Sequence, residues 1–210
     1  MIIYMSCYKI DNISDVPANG DCMFESIWKS LDEPHRENII KEVHDIIDEK
    51  MNNGEDFSNI QTYVVDDKQY RYLRILCHYR EDLYRKEFGV NNISNLRDKK
   101  VSDADKKIFD LSGQERWGNS AEIFIIETFL RNEGHNIHIQ VYEKEKEKDC
   151  YRLRNSTDKK VDKEIYLIYV NKNHYKYTLS KPEEVDGKGD VDGKGVVDGK
   201  GDVDGKGVVD

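Results

Sequence analysis

The sequence predicts an α+β fold with a small, mostly antiparallel sheet flanked by helices. Two observations carry this. Up to Gly134 the apolar residues recur at helical spacing, and after Gly134 they alternate at strand spacing. Helices therefore come first and strands last, an order that argues against repeated βαβ units.

The first helix is expected from Asp21 to about Leu31, where Phe24, Ile27, Trp28 and Leu31 fall at i, i+3, i+4 and i+7. A second is expected near 35–52, with Ile39, Ile40, Val43, Ile46, Ile47 and Met51 on one stripe. A third spans about 68–87 and carries Tyr72, Leu73, Leu76, Cys77 and Tyr84. Ser102, three residues before Asp105, opens a short one. The last starts at Asn119 or Ser120 and carries EIFIIETFL, with Glu122 as its capping partner and Gly134 closing it as a left-handed cap.

Four strands follow. NIHIQVY places Ile137, Ile139 and Val141 on one face. The charged run 143–149 reads as a hairpin tip, with CYRLR (150–154) returning as its partner. EIYLIYV (164–170) is a more fully apolar strand, NKNH (171–174) a turn, and YKYTL (175–179) alternates again. The body is therefore one domain over 1–180. Residues 181–210 are a separate unit, in which V-D-G-K-G followed by Asp or Val repeats with Val as the only apolar residue. Such a segment cannot bury a core and reads as a flexible solvated tail. D-G-K-G lacks the spaced carboxylates and terminal Glu of a calcium loop.

The chain has 210 residues, a net charge of −9 and a mean hydropathy of −0.82. An acidic chain is poorly matched to nucleic acid or anionic membranes, which need basic patches. No apolar run reaches the length of a membrane span, and MIIYMSCYKI lacks the basic and apolar regions of a Sec-type signal. The reading is a soluble protein. Its four cysteines, Cys7, Cys22, Cys77 and Cys150, form no C-x-x-C pair, so no metal site is expected. They read as reduced thiols of a cytosolic protein.

Cys22 stands apart. PANGDCMFESIW (17–28) puts it where a turn becomes a helix. Backbone amides and the helix dipole favour negative charge there, so the thiol is expected to have a lowered pKa. The Asn19-Gly20 turn aims further N–H groups at the same spot, where they can hold an oxyanion. A general base must come from elsewhere. Among six histidines, His35, His44 and His78 fall in or beside helices, and His135 and His138 take polar strand positions with a surface role. His174 sits where a turn meets a strand, beside Tyr175, a rim position at which sites are built. A cysteine with a distant histidine is a recognised though nonspecific nucleophile signature.

Three blocks, taken in order, resemble the ovarian-tumour (OTU) family of deubiquitinating cysteine proteases. They are PANGDCMFESI (17–27), WGNSAEI (117–123) and IYLIYVNKNHYKYTL (165–179), and together they span nearly the whole body. The resemblance implies a papain-like α+β fold, ubiquitin as partner and no cofactor. It implies Cys22 as nucleophile, His174 as general base and acid, and Trp117 and Tyr175 as walls of the channel for the ubiquitin C-terminus. It also implies an effector of a pathogen or symbiont acting on host ubiquitin.

Two positions depart from the family pattern. Asn19 stands where an Asp usually organises the oxyanion loop. Lys176 stands where many members carry an Asn or Asp that orients the histidine. The orienting group must come from elsewhere, with Asn19, Asn171, Asn173, Asp11 and Asp15 as candidates. These departures motivate the alternative of a ubiquitin-binding module that has lost turnover.

Overall fold

PANGDCMFESIW folds as its apolar spacing requires. Phe24, Ile27, Trp28 and Leu31 are all buried, and helix α1 (Cys22–Ser30) ends where the Leu31 N–H bonds the Ile27 and Trp28 carbonyls. The computed structural model describes residues 6–18, 20–55, 64, 66–88, 118, 120–146, 148–155, 161–171 and 174–185. The expected helix after Ser102, the residues Asn19 and Trp117, and the repeat from 186 onward lie outside these.

Helix α2 (Glu33–Asn52) starts two residues earlier than the apolar stripe predicts. Pro34 favours a helical first turn, and His35 Nδ1 accepts the Asp32 N–H at 3.3 Å, so a histidine does capping work here. The single helix expected over 68–87 is two, α3 (Arg71–Tyr79) and α4 (Glu81–Phe88). The break falls at Arg80, whose guanidinium pairs with Glu42 of α2 and with Asp82. Helix α5 (Ser120–Asn132) ends as expected at Gly134, which has φ +87°.

One six-stranded sheet follows. Its strands are β1 (Cys7–Lys9), β2 (Ile137–Lys144), β3 (Tyr151–Leu153), β4 (Lys163–Val170), β5 (His174–Thr178) and β6 (Glu183–Val185), in the spatial order β5-β4-β2-β3-β1-β6. The fold class is α+β, with one sheet flanked by helices. The sequence missed β1 and β6, which are too short to show a period. β6 pairs with β1 and lies past residue 180.

One pairing in this mostly antiparallel sheet is parallel. β2 and β4 run parallel, from Ile137 opposite Lys163 to Glu143 opposite Tyr169. β3 pairs back on β2 as a hairpin, but β1 takes its outer edge, so β4 joins the other edge of β2. β3 covers only Tyr142–Lys144 of β2. Side chains satisfy much of the uncovered stretch. Glu127 accepts the Ile139 N–H, while Asn155 accepts from Val141 and donates to the Ile139 carbonyl, both at 2.7 Å. This explains a correction. His138, expected at the surface, is buried and bonds Glu127 Oε1 through Nδ1 at 2.8 Å.

Alternation along β4 divides the apolar residues between two faces. Ile165 and Leu167 join the main core with Phe24, Ile39, Leu73 and Phe129, and Tyr166 and Ile168 join a smaller cluster with Ile10 and Tyr142.

The cysteine expectation also needs correction. Cys7 and Cys150 form a disulfide across β1 and β3, with Cα atoms 5.7 Å apart, while Cys22 and Cys77 are free and buried. The spacing gave no hint because the two residues are 143 apart in sequence. In the chain-entropy account a loop of that length contributes roughly 5 kcal/mol. Cys7→Ser is therefore expected to lower the melting temperature by roughly 10 °C in calorimetry. An unchanged melting temperature would show that the bond does not staple the fold.

Candidate active site

Cys22 is the first residue of α1 and only 1% exposed. The turn before it needs a glycine, since Gly20 has φ +82°. Arg74 of α3, itself buried, fixes this turn. Its guanidinium pairs with the Asp21 carboxylate, donates to the Gly20 carbonyl at 2.7 Å and stacks 4.6 Å over the Phe24 ring. Arg71 adds a contact to Asp21 at 3.7 Å. Nothing in the motif marked Arg74. The only available signal was a cation within the apolar stripe of its helix.

Gly118 lies against Met23. A Cβ there would overlap the end of the Met23 side chain, which is 1% exposed and follows Cys22 directly.

β5 brings the second half of the site to α1. The Tyr175 peptide is held at both ends by the first turn of that helix. Its N–H reaches Cys22 Sγ at 3.5 Å, and its carbonyl accepts from Ser26 Oγ at 3.4 Å. His174 is the residue before it, at the start of β5. The Tyr175 ring is buried against Tyr169, with centroids 4.9 Å apart. Burial pushes its phenol up.

The N-terminal segment supplies the third part. Ser14 forms a two-way backbone bridge to Tyr177 on the free edge of β5, at 2.8 and 3.1 Å, and Thr178 Oγ1 donates to the Asp11 carbonyl at 3.0 Å. This places Asp15 over the start of β5. Its Oδ1 lies 2.7 Å from His174 Nε2, and its Oδ2 lies 2.7 Å from Lys176 Nζ. His174 Nδ1 is buried and has no hydrogen-bond partner among the described residues. Of the candidates for the orienting group, Asp15 contacts the His174 ring, while Asn19 and Asn173 lie outside the described residues.

The electrostatics differ from the sequence expectation at Cys22. Burial pushes the thiol up from its ordinary value and outweighs the N–H groups of Tyr175 and Met23. Asp15 goes the other way. Lys176, and after it His174, bring its carboxyl down from 3.8 to about 2. Its contribution to stability is thus present above 3.8 and lost as the pH falls through 2. No group of three or more His, Cys, Asp or Glu side chains suited to a metal occurs among the described residues. No helix among them is long and apolar enough to cross a membrane.

No protein-family model matches the chain, and no curated protein matches it significantly. Among solved structures it is similar to a ceOTUB1 complex with ubiquitin aldehyde and UBC13~Ub, at 15% identity and TM-score 0.44, covering 86% of this chain and 81% of that one. It is similar to the Hazara virus OTU bound to ubiquitin at 11% identity and TM-score 0.34, covering 85% and 82%. The viral OTU domain protease from Qalyub virus aligns at 10% identity and TM-score 0.35, covering 85% of each chain.

Proposed function

We propose that this chain is an OTU-type cysteine protease that hydrolyses isopeptide bonds at the C-terminus of ubiquitin. The observation that carries the reaction class is the convergence of three segments. Cys22 begins a helix, the Tyr175 N–H touches its sulfur, and the adjoining His174 is held by Asp15. The substrate class rests on the three ordered sequence blocks.

The groups divide the work as follows. Asp15 accepts the His174 Nε2–H and leaves Nδ1 as the basic nitrogen, the one that is buried without a partner. Nδ1 takes the Cys22 proton as the sulfur attacks the carbonyl of the terminal glycine, which suits a thiol that burial keeps protonated at rest. Amide N–H groups at the start of α1 and in the Gly20 turn stabilise the oxyanion, and Asn19 helps hold that loop. The lysine amine leaves with the proton from His174, and a thioester remains. Water, deprotonated by His174, then releases the ubiquitin carboxylate and restores the thiol. Trp117, outside the described residues, keeps the role of channel wall that the resemblance implies, whereas the Tyr175 ring is packed in the core and acts here through its backbone. Because Cys22 is 1% exposed, the approach must open for substrate.

The same burial favours a second reading, a ubiquitin-binding module without turnover. Isopeptide-linked ubiquitin dimers separate the two. Release of monomers by the full chain, lost in Cys22→Ala, supports the protease. Saturable binding with no cleavage supports the binding module.

A further inference from the structure

Lys176 occupies the position where the family resemblance implies an orienting Asn or Asp, and it cannot accept a hydrogen bond from the imidazole. The structure gives it another partner. His174 and Lys176 are two residues apart on β5 and so point to one face, where Asp15 bridges them with one oxygen to each at 2.7 Å. The Asp15 side chain is 57% exposed. An exposed carboxylate on an irregular segment samples several rotamers, and only some present Oδ1 to the ring.

We infer that Lys176 is a positioning residue: it pins Asp15 Oδ2 and thereby fixes Oδ1 on His174. A cation has replaced a direct acceptor, and orientation passes through the N-terminal segment instead of along β5. Asp15 reaches the ring from the N-terminal segment, and Lys176 of β5 reaches Asp15. Among the described residues, Lys176 is the lysine that pairs with the carboxylate contacting His174. The inference rests on the proposed function only for the meaning of His174, because the contact itself can be tested without substrate.

The test uses the full chain as wild type, Lys176→Met, Lys176→Arg, Asp15→Asn and the Asp15→Asn/Lys176→Met double variant. Two rates are read: alkylation of Cys22 by iodoacetamide, followed by peptide mass spectrometry, and cleavage of ubiquitin dimers. Lys176→Met is expected to slow both by roughly three- to tenfold, the range for a partly exposed coupled pair. Lys176→Arg keeps the charge and should return both rates to within about twofold of wild type. In the Asp15→Asn background, Lys176→Met should change nothing further, because its route to His174 is gone. Wild-type rates in Lys176→Met overturn the inference, and so does an equal loss with and without Asp15. A chain that cleaves no ubiquitin yet shows the full alkylation pattern keeps the inference and loses the substrate class. A chain that cleaves ubiquitin with no effect at position 176 does the reverse.

Discussion

His174→Ala is expected to slow cleavage of ubiquitin dimers by roughly 10²–10⁴-fold, the usual range for losing a general acid–base group. Two steps fail together in that variant. The Cys22 thiol, whose pKa burial raises, loses the group proposed to take its proton. The leaving amine loses its proton donor. The fold should persist, since the tie between β5 and α1 runs through the Tyr175 backbone and not through the imidazole. Kinetics and a melting curve on the same sample check both halves. Turnover near wild type would remove His174 from the mechanism.

The second large effect is structural and falls on the nucleophile loop. Arg74→Met is expected to cost about 3 kcal/mol, the lower end for breaking a buried ion pair. The lower end applies because Arg71 still reaches Asp21 at 3.7 Å. The Gly20 carbonyl loses its donor in the same change, so the turn before Cys22 should loosen. Denaturant unfolding measures the stability. Alkylation of Cys22 in the still-folded fraction measures the loop, and a faster rate than wild type is expected from a less buried thiol. Unchanged stability would show that the Asp21 pair is dispensable.

How far the sequence could be read depends on the scale of each feature. Long periodic segments were legible, because Phe24, Ile27 and Trp28 announce a buried helix face and Ile137, Ile139 and Val141 a strand face. The two ends of the site were legible for a different reason. A cysteine after an Asn-Gly turn and a histidine after a loop are local patterns with local causes. What failed was non-local. The parallel pairing of β2 with β4 follows from β1 taking the edge of β3, a contact made by three-residue strands. The Cys7–Cys150 bond joins residues 143 apart, and His138 is buried only because Glu127 of α5 reaches across to β2. Asp15 lay between these extremes. It stood among several orienting candidates, and the Ser14 bridge to Tyr177 is what brings it to the His174 ring. Lys176 looked like a loss in one dimension and is a partner of the same carboxylate in three.

The central claim is that Cys22 is a nucleophile aimed at the C-terminus of ubiquitin. The most direct measurement is intact mass after incubating the full chain with ubiquitin that carries a C-terminal electrophile. The account predicts an adduct of one ubiquitin on wild type, none on Cys22→Ala and a strongly slowed one on His174→Ala. Folded wild-type protein that forms no adduct, or an adduct that persists in Cys22→Ala, would contradict it.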